Sequence, residues 1–299
     1  MLINDHLLTK DESINDLIDF VRKERKKSMN VCVLSVGYDG YIDVWNSYFE
    51  LLNKYWKNRP KTYLATSVLN PEYKNVTVIP AGENSEWSEK TRKALLQIKE
   101  KYVVLLLEDF FTTHQVDNNK LLHIVKLMEN NDLNFCRILD QKKMKGKDFM
   151  GEKHIRIIPK TDKYALCLQP AIWNKDFLLH IIGKGNYNPW FFEFKLLGAN
   201  LHNQNRIDAI QDDSNILEIT HGIVQSKYLP SCIKTFEKQG YHFNLEKRSV
   251  LSSKEYFKYR LKCFVNFHSP EWTKKYLKII GRKMGVDFVS DRLLGGEDK

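Results

Sequence analysis

The run Tyr102–Leu107, YVVLLL, leads straight into the acidic pair Glu108–Asp109, and it constrains the chain more than any other stretch. Six consecutive apolar residues rich in Val and Leu, apolar on both faces, predict a strand buried inside a mostly parallel sheet. Helices must then cover both faces of that sheet, which makes the chain α/β. In open α/β sheets ligands bind beyond the carboxyl ends of the strands, so the two acids stand where a substrate would be held. Paired carboxylates there can coordinate a hard divalent cation and through it a diphosphate, or can hold sugar hydroxyls directly. The plainer alternative is that one of them caps a helix or pairs with a neighbouring Lys.

The segments around this strand repeat the α/β pattern. Asn30–Val36 reads as a second buried strand, broken by Gly37 and Asp39-Gly40. Tyr41, Val44, Trp45, Tyr48 and Leu52 then recur at helical spacing, and Lys61–Thr66 supplies a strand that completes βαβ, a nucleotide-binding half in outline. The loop Ser35-Val36-Gly37-Tyr38-Asp39 lies at a strand's carboxyl end, where backbone groups can pair with a base edge and Tyr38 can stack on it. Tyr38 and Asp39 can equally form a turn and a helix cap. Neither G-x-G-x-x-G nor G-x-x-x-x-G-K-[ST] occurs in this loop, which disfavours a dinucleotide cofactor or a P-loop nucleotide.

Further along, Val76–Pro80 predicts a strand, and a helix follows with Ser85 as cap and Thr91, Ala94, Leu95 and Ile98 on its buried face. Leu121, Ile124, Val125 and Met128 mark another helix, and Leu133–Leu139 a strand. Lys142–Lys153 reads as a loop able to act as a lid. Ile155–Pro159 and Ala165–Gln169 are expected to pair as antiparallel strands, Asn203–Asn215 to be a polar loop, and Ile216–Thr220 to be a late strand ending at His221-Gly222.

Composition narrows the class. With 42% hydrophobic and 12% aromatic residues the chain is not of the disordered kind. Its five cysteines are widely spaced with no C-x-x-C pair, and they predict reduced core thiols of a cytoplasmic protein. No basic start followed by an apolar segment and no run of about 20 apolar residues predicts a signal or a membrane span. Much of the +10 net charge sits in Lys254–Lys283, where nine Lys or Arg face Glu255 and Glu271. Phe257, Leu261 and Phe264, then Trp272, Tyr276, Ile279 and Ile280, form apolar stripes between these cations. Such helices suit an anionic lipid surface, or they pack on the domain with their lysines in water. Basic residues lining one face would signal nucleic acid, whereas here they concentrate in the tail, so no nucleic-acid partner is expected.

The sequence LLLEDFF resembles the acidic strand end of GT-A type nucleotide-sugar-dependent glycosyltransferases, and more narrowly a bacterial group acting in capsule and lipopolysaccharide (O-antigen) assembly. The segments LQPAIWNKDFLLHII and NPWFFEFKLLG carry the most specific part of that likeness. The resemblance implies an α/β GT-A-like, Rossmann-like fold: a twisted, mostly parallel sheet flanked by helices. It divides the chain into an N-terminal helix at 1–28, a catalytic domain at 29–250 with a donor half (29–140) and an acceptor half (155–250), and a basic helical tail at 251–299. It implies that Ser35, Val36, Gly37 and Tyr38, with Trp87, Ser88, Arg92, Glu108 and Asp109, bind the donor, a UDP-sugar. Gln169, Trp173 and Trp190 would then line the acceptor pocket. Glu193 matches the carboxylate beneath the anomeric carbon and would act as general base in an inverting hexosyl transfer, with Asp109 as its catalytic companion. Trp173 and Trp190 as core residues, and Glu193 paired with Lys195 or Arg206, are the structural alternatives. Asp109 and His221 would ligate Mg2+ or Mn2+, although Glu108-Asp109-Phe110 lacks acid-x-acid spacing and leaves a metal-independent site open. The acceptor implied is a glycan, lipid-linked, met at the inner face of the membrane. A nucleotidyltransferase acting on sugar phosphates shares the half-fold but ordinarily shows a Gly-rich loop with a basic residue, which SVGYDGYID lacks; a non-enzymatic nucleic-acid binder is the third class.

Overall fold

Val31–Leu34, VCVL, is apolar on both faces, and this segment takes the centre of the sheet because only a position covered on both sides removes both of its faces from water. A computed structural model describes residues 30–139, 146–159, 162, 164–198, 208–268 and 276. The N-terminal helix expected at 1–28, residues 142–145 of the expected lid and the tail after 268, apart from Tyr276, lie outside the described residues.

The strands of the main sheet are β1 (Val31–Val36), β2 (Thr62–Thr66), β3 (Val76–Pro80), β4 (Tyr102–Leu107), β6 (Phe135–Arg137), β7 (Ile155–Ile157), β8 (Ala171–Asn174) and β9 (Ala209–Asp212). Their order across it is β3-β2-β1-β4-β8-β6-β9-β7. The first four are parallel, with Val36 level with Leu107 and with Ala65, and Thr66 level with Pro80, so their carboxyl ends emerge along one edge. Beyond β4 the sheet is mixed: β8 runs antiparallel to both β4 and β6, β6 is parallel to β9, and β7 is antiparallel to β9. The α/β class is therefore as expected, with the parallel part confined to the donor half and its β9 echo. Outside this sheet, β5 (Phe110–Thr112) pairs antiparallel with β10 (Ile219–His221), and β11 (Ile223–Val224) forms a tight hairpin with β12 (Lys227–Tyr228).

The helices are α1 (Ile42–Tyr55), α2 (Trp87–Gln97), α3 (Asn118–Asn130), α4 (Lys175–Ile182), α5 (Pro189–Gly198), α6 (Pro230–Glu237) and α7 (Ser253–His268). They divide the core into two apolar layers. One, on the face carrying Val33, Val104 and Ile172, packs α1 and α3 through Trp45, Tyr48, Leu52, Leu121 and Met128. The other, on the face carrying Leu34, Val103 and Trp173, packs α2, α4 and α5 through Leu95, Leu178 and Phe192. Asp117 caps α3 by accepting from the Asn119 and Lys120 N–H groups, and Asn174 caps α4 in the same way.

Three sequence expectations are corrected. Ala165–Gln169 is not a strand paired with β7; the partner of β7 is β9, inside the stretch expected to be a polar loop. AIQD escaped notice because a four-residue strand set between Asp208 and Asp213 shows no period of its own. Ser85 does not cap α2 either: its hydroxyl donates to the Ala81 carbonyl, and Glu86 holds the cap position without a side-chain bond.

Candidate active site

The strand-end acids lie where the sheet topology predicts. Glu108 follows β4 directly and is 8% exposed. Its Oε1 accepts from the Tyr38 N–H at 2.9 Å, so the loop after β1 is tied to the end of β4. Burial, reinforced by the negative charge of Asp109, pushes the Glu108 carboxyl up to about 7, against the opposing pull of these hydrogen bonds and of Lys90. Burial likewise pushes Asp109 up to about 6. Among the described residues no other residue donates to the Asp109 carboxylate. Its backbone carbonyl accepts from the Gly222 N–H at 2.8 Å, which fastens the β5–β10 connection to this edge.

Lys90 is a member of the site that periodicity could have exposed: it falls on the α2 face marked by Trp87, Thr91 and Ala94, where a cation needs a reason to be. It is 4% exposed and its Nζ donates to the Gly37 carbonyl at 2.6 Å. Burial lowers its pKa, while Glu108 acts in the opposite sense. Gly37 itself must be glycine, because a Cβ there would stand 2.6 Å from the buried Trp45 ring. Beneath, the Ser35 hydroxyl and the Tyr48 phenol share a buried hydrogen bond of 2.7 Å. Asp39 braces the neighbouring loop, accepting from the Ser67, Val68 and Leu69 N–H groups at 2.7, 2.8 and 2.9 Å.

These contacts revise the expected donor loop. Ser35 and Val36 are buried in β1, the Gly37 N–H donates to the Ala65 carbonyl, and the Tyr38 N–H is held by Glu108. The backbone groups assigned to a base edge are thus already paired within the protein. What the loop offers outward is the Tyr38 ring, 61% exposed and set edge-on to Tyr41.

The α2 candidates are also engaged internally. Trp87 is core, packed on Phe192 with ring centroids 4.9 Å apart. The Ser88 hydroxyl donates to the Gly185 carbonyl and accepts from the Tyr187 N–H. Arg92 donates to the carbonyls of Gly183 and Gly185. Ser88 and Arg92 therefore hold the turn between α4 and α5, and Trp87 and Ser88 are too buried to touch a ligand.

On the acceptor side, Leu105 faces Ala171 across the β4–β8 pair, so Gln169 and Leu168, just before β8, lie at the same edge as the acids. There the Leu168 N–H donates to Glu193 Oε1 at 3.0 Å. Glu193 is half-buried, and burial raises its pKa. Gln169 is half-buried at this edge. Trp173 is not pocket-lining: it is fully buried between Phe135 and Phe177. Trp190 is exposed, as are Phe191 and Phe194 on the same helix.

The residues present suit a hard cation in part. Asp109 supplies an uncommitted carboxylate, and a Mg2+ ion commonly needs only one or two carboxylates beside substrate phosphates. His221 does not complete a cage: its half-buried ring packs edge-on against Phe110, burial lowers its pKa, and no group of three or more His, Cys, Asp or Glu side chains among the described residues could hold a metal ion.

Fold and edge together define an α/β protein with an acidic pair, one member buried and one half-buried, and a buried lysine at the carboxyl end of its central strands. No family model and no curated protein matches the sequence. Among solved structures the chain is similar to a crystal structure of S. aureus TarS 1-349 in complex with UDP-GlcNAc, at 10% identity and a TM-score of 0.43, covering 84% of this chain and 77% of that one. A second TarS 1-349 structure gives 11% identity and a TM-score of 0.42 over 62% of this chain and 59% of that one. A UDP-glucose pyrophosphorylase complexed with UDP-glucose gives 10% and 0.37 over 64% of this chain and 91% of that one. Similarity this distant leaves the function to be argued from the chain's own residues.

Proposed function

We propose that this protein is a glycosyltransferase that moves a sugar from a nucleotide donor, a UDP-sugar, to a glycan acceptor by inverting displacement on a GT-A-like sheet. The observation that carries the reading is the pair of carboxylates at the carboxyl end of β4, Glu108 buried and Asp109 half-buried, with their pKa values pushed up to about 7 and 6. Perturbed acids at a strand-end edge are what a site handling charged substrate uses. The exposed Tyr38 ring offers a stacking face for the base.

The acceptor hydroxyl must lose its proton as it attacks. Glu193 is the group assigned to take it: Oε1 is anchored by the Leu168 N–H, which leaves Oε2 to receive the proton, and a raised pKa makes it a stronger base than an exposed glutamate. Asp109, with Glu108, would hold Mg2+ or Mn2+, which when bound supplies positive charge against the departing diphosphate. Trp190, Phe191 and Phe194 give the acceptor side apolar faces suited to sugar rings.

We assign α7 to an anionic membrane surface, where a lipid-linked acceptor would be met. The helix packs on the core through Tyr256 and Tyr259, while Phe257, Leu261 and Phe264 face solvent beside Lys254, Lys258 and Arg260. No helix among the described residues is long and apolar enough to cross a membrane.

The test is a panel of nucleotide sugars, followed by thermal shift and by hydrolysis or transfer with and without Mn2+. A UDP-sugar should raise Tm and be turned over slowly even without acceptor. Silence across the panel overturns the proposal.

A further inference from the structure

The peptide unit joining Gly37 to Tyr38 is gripped at both ends. Its carbonyl accepts from Lys90 Nζ at 2.6 Å, and its N–H donates to Glu108 Oε1 at 2.9 Å. The two ionisable side chains come from different elements, α2 and the end of β4, and both are almost wholly buried. A peptide bond can turn about its flanking dihedrals, and glycine at position 37 imposes little resistance of its own. An ammonium donor at one end and a carboxyl acceptor at the other therefore fix a plane that the local sequence would leave free. The next residue is Tyr38, whose ring lies against Gly40 and edge-on to Tyr41. The orientation of that ring follows from the plane of the peptide before it.

We infer that Lys90 is a positioning residue for the nucleotide: with Glu108 it clamps the Gly37–Tyr38 peptide and so presents the Tyr38 ring as a preorganised stacking platform for the base. The inference rests on the nucleotide-sugar reading for its ligand, but the clamp itself stands on geometry alone. Its chemistry explains why a lysine is buried on the face of α2 where Trp87, Ala94 and Leu95 pack into the core. A cation is otherwise rarely placed there, since desolvating it is costly unless it is paired or hydrogen-bonded. Preorganisation lowers the ordering cost of binding, so losing the clamp weakens affinity without removing any atom that touches the base.

The experiment compares the full-length wild type with Lys90→Met and Lys90→Arg. Two readouts are used: UDP affinity by calorimetry, and amide hydrogen exchange of peptides covering 36–42. In K90M, exchange at the Gly37–Tyr41 segment should rise at least about tenfold while β1 stays protected, and UDP binding should weaken by about tenfold. K90R, which still donates to the Gly37 carbonyl, should recover most of both. Unchanged exchange in a folded K90M overturns the clamp, and faster exchange with unchanged UDP affinity overturns its role in presenting Tyr38. If the wild type binds no UDP, the nucleotide-sugar reading fails, whereas the exchange result still decides the clamp. Should K90M not fold, Lys90→Gln, which keeps a neutral polar head, is measured in its place against the same criteria.

Discussion

Arg248 closes the late part of the chain onto the first helix, and the loss of that contact should be among the costliest single changes in the molecule. Its Nε donates to Asp43 Oδ2 and its NH2 to Asp43 Oδ1, each at 2.9 Å, while NH1 donates to the Ser226 carbonyl at 2.7 Å and NH2 also reaches the Gly40 carbonyl at 3.3 Å. The guanidinium lies 4.2 Å from the Tyr41 ring centroid, and the residue is only 9% exposed. Hydrogen bonds to charged groups contribute roughly 1.5–3 kcal/mol each, but much of that is offset by taking both ions out of water. Removing one partner leaves the other buried and unpaired, which costs about 3–5 kcal/mol. Arg248→Ala should therefore destabilise by about 4 kcal/mol and Asp43→Ala by about 3 kcal/mol. The double mutant should cost well below their sum, a coupling of about 2 kcal/mol. Arg248→Lys, which loses the bidentate fork but keeps a charge, should fall between wild type and R248A. Urea unfolding at pH 7 of these five proteins, wild type included, measures all of this. Single losses under 1 kcal/mol, or strict additivity, would refute the claim that a buried ion pair holds the β11–β12 hairpin to α1.

Glu108 provides a pH signature. Its folded pKa, about 7, lies above the ordinary 4.5, so protonation favours the folded state. That contribution is complete below pH 4.5 and is lost as pH rises through about 7, at most about 3 kcal/mol at 1.36 kcal/mol per unit. Unfolding measured in EDTA should show wild type losing stability across this window relative to Glu108→Gln; parallel profiles would remove the buried-carboxylate account. Glu193→Gln should lower turnover by about a hundred- to ten-thousand-fold with UDP affinity unchanged, and should abolish the acidic limb of the wild-type rate profile. Equal rates in the two proteins would exclude Glu193 as base. Asp109→Asn should remove any stimulation by Mn2+, which initial rates across a Mn2+ titration will show. Replacing Phe257, Leu261 and Phe264 with Ser should abolish cosedimentation with phosphatidylserine vesicles, while neutral vesicles retain neither protein.

The strands β1, β2, β3 and β4 and the helices α1 and α3 were legible in the sequence to within a residue or two. Each is a local pattern, continuous apolar runs for strands buried on both faces and a 3.6-residue repeat for helices, and burial rewards those patterns wherever they occur. The placement of Glu108 and Asp109 was legible too, because a run that ends in acids ends at a sheet edge. The sheet order beyond β4 was not, because pairing of β8 with β4 and of β9 with β6 and β7 joins segments far apart in sequence, and short strands carry no period that names a partner.

The functional roles of individual side chains divide in the same way. Residue type suggested that Ser35, Trp87, Ser88 and Trp173 would meet ligand. Packing decided otherwise, turning them into core residues and braces for neighbouring turns. Lys90 acquired its place only when α2 docked over the end of β1, bringing a buried ammonium within reach of one carbonyl. A sequence records which groups are able to bond; which of them remain free to meet a substrate is settled by the tertiary contacts that satisfy the rest.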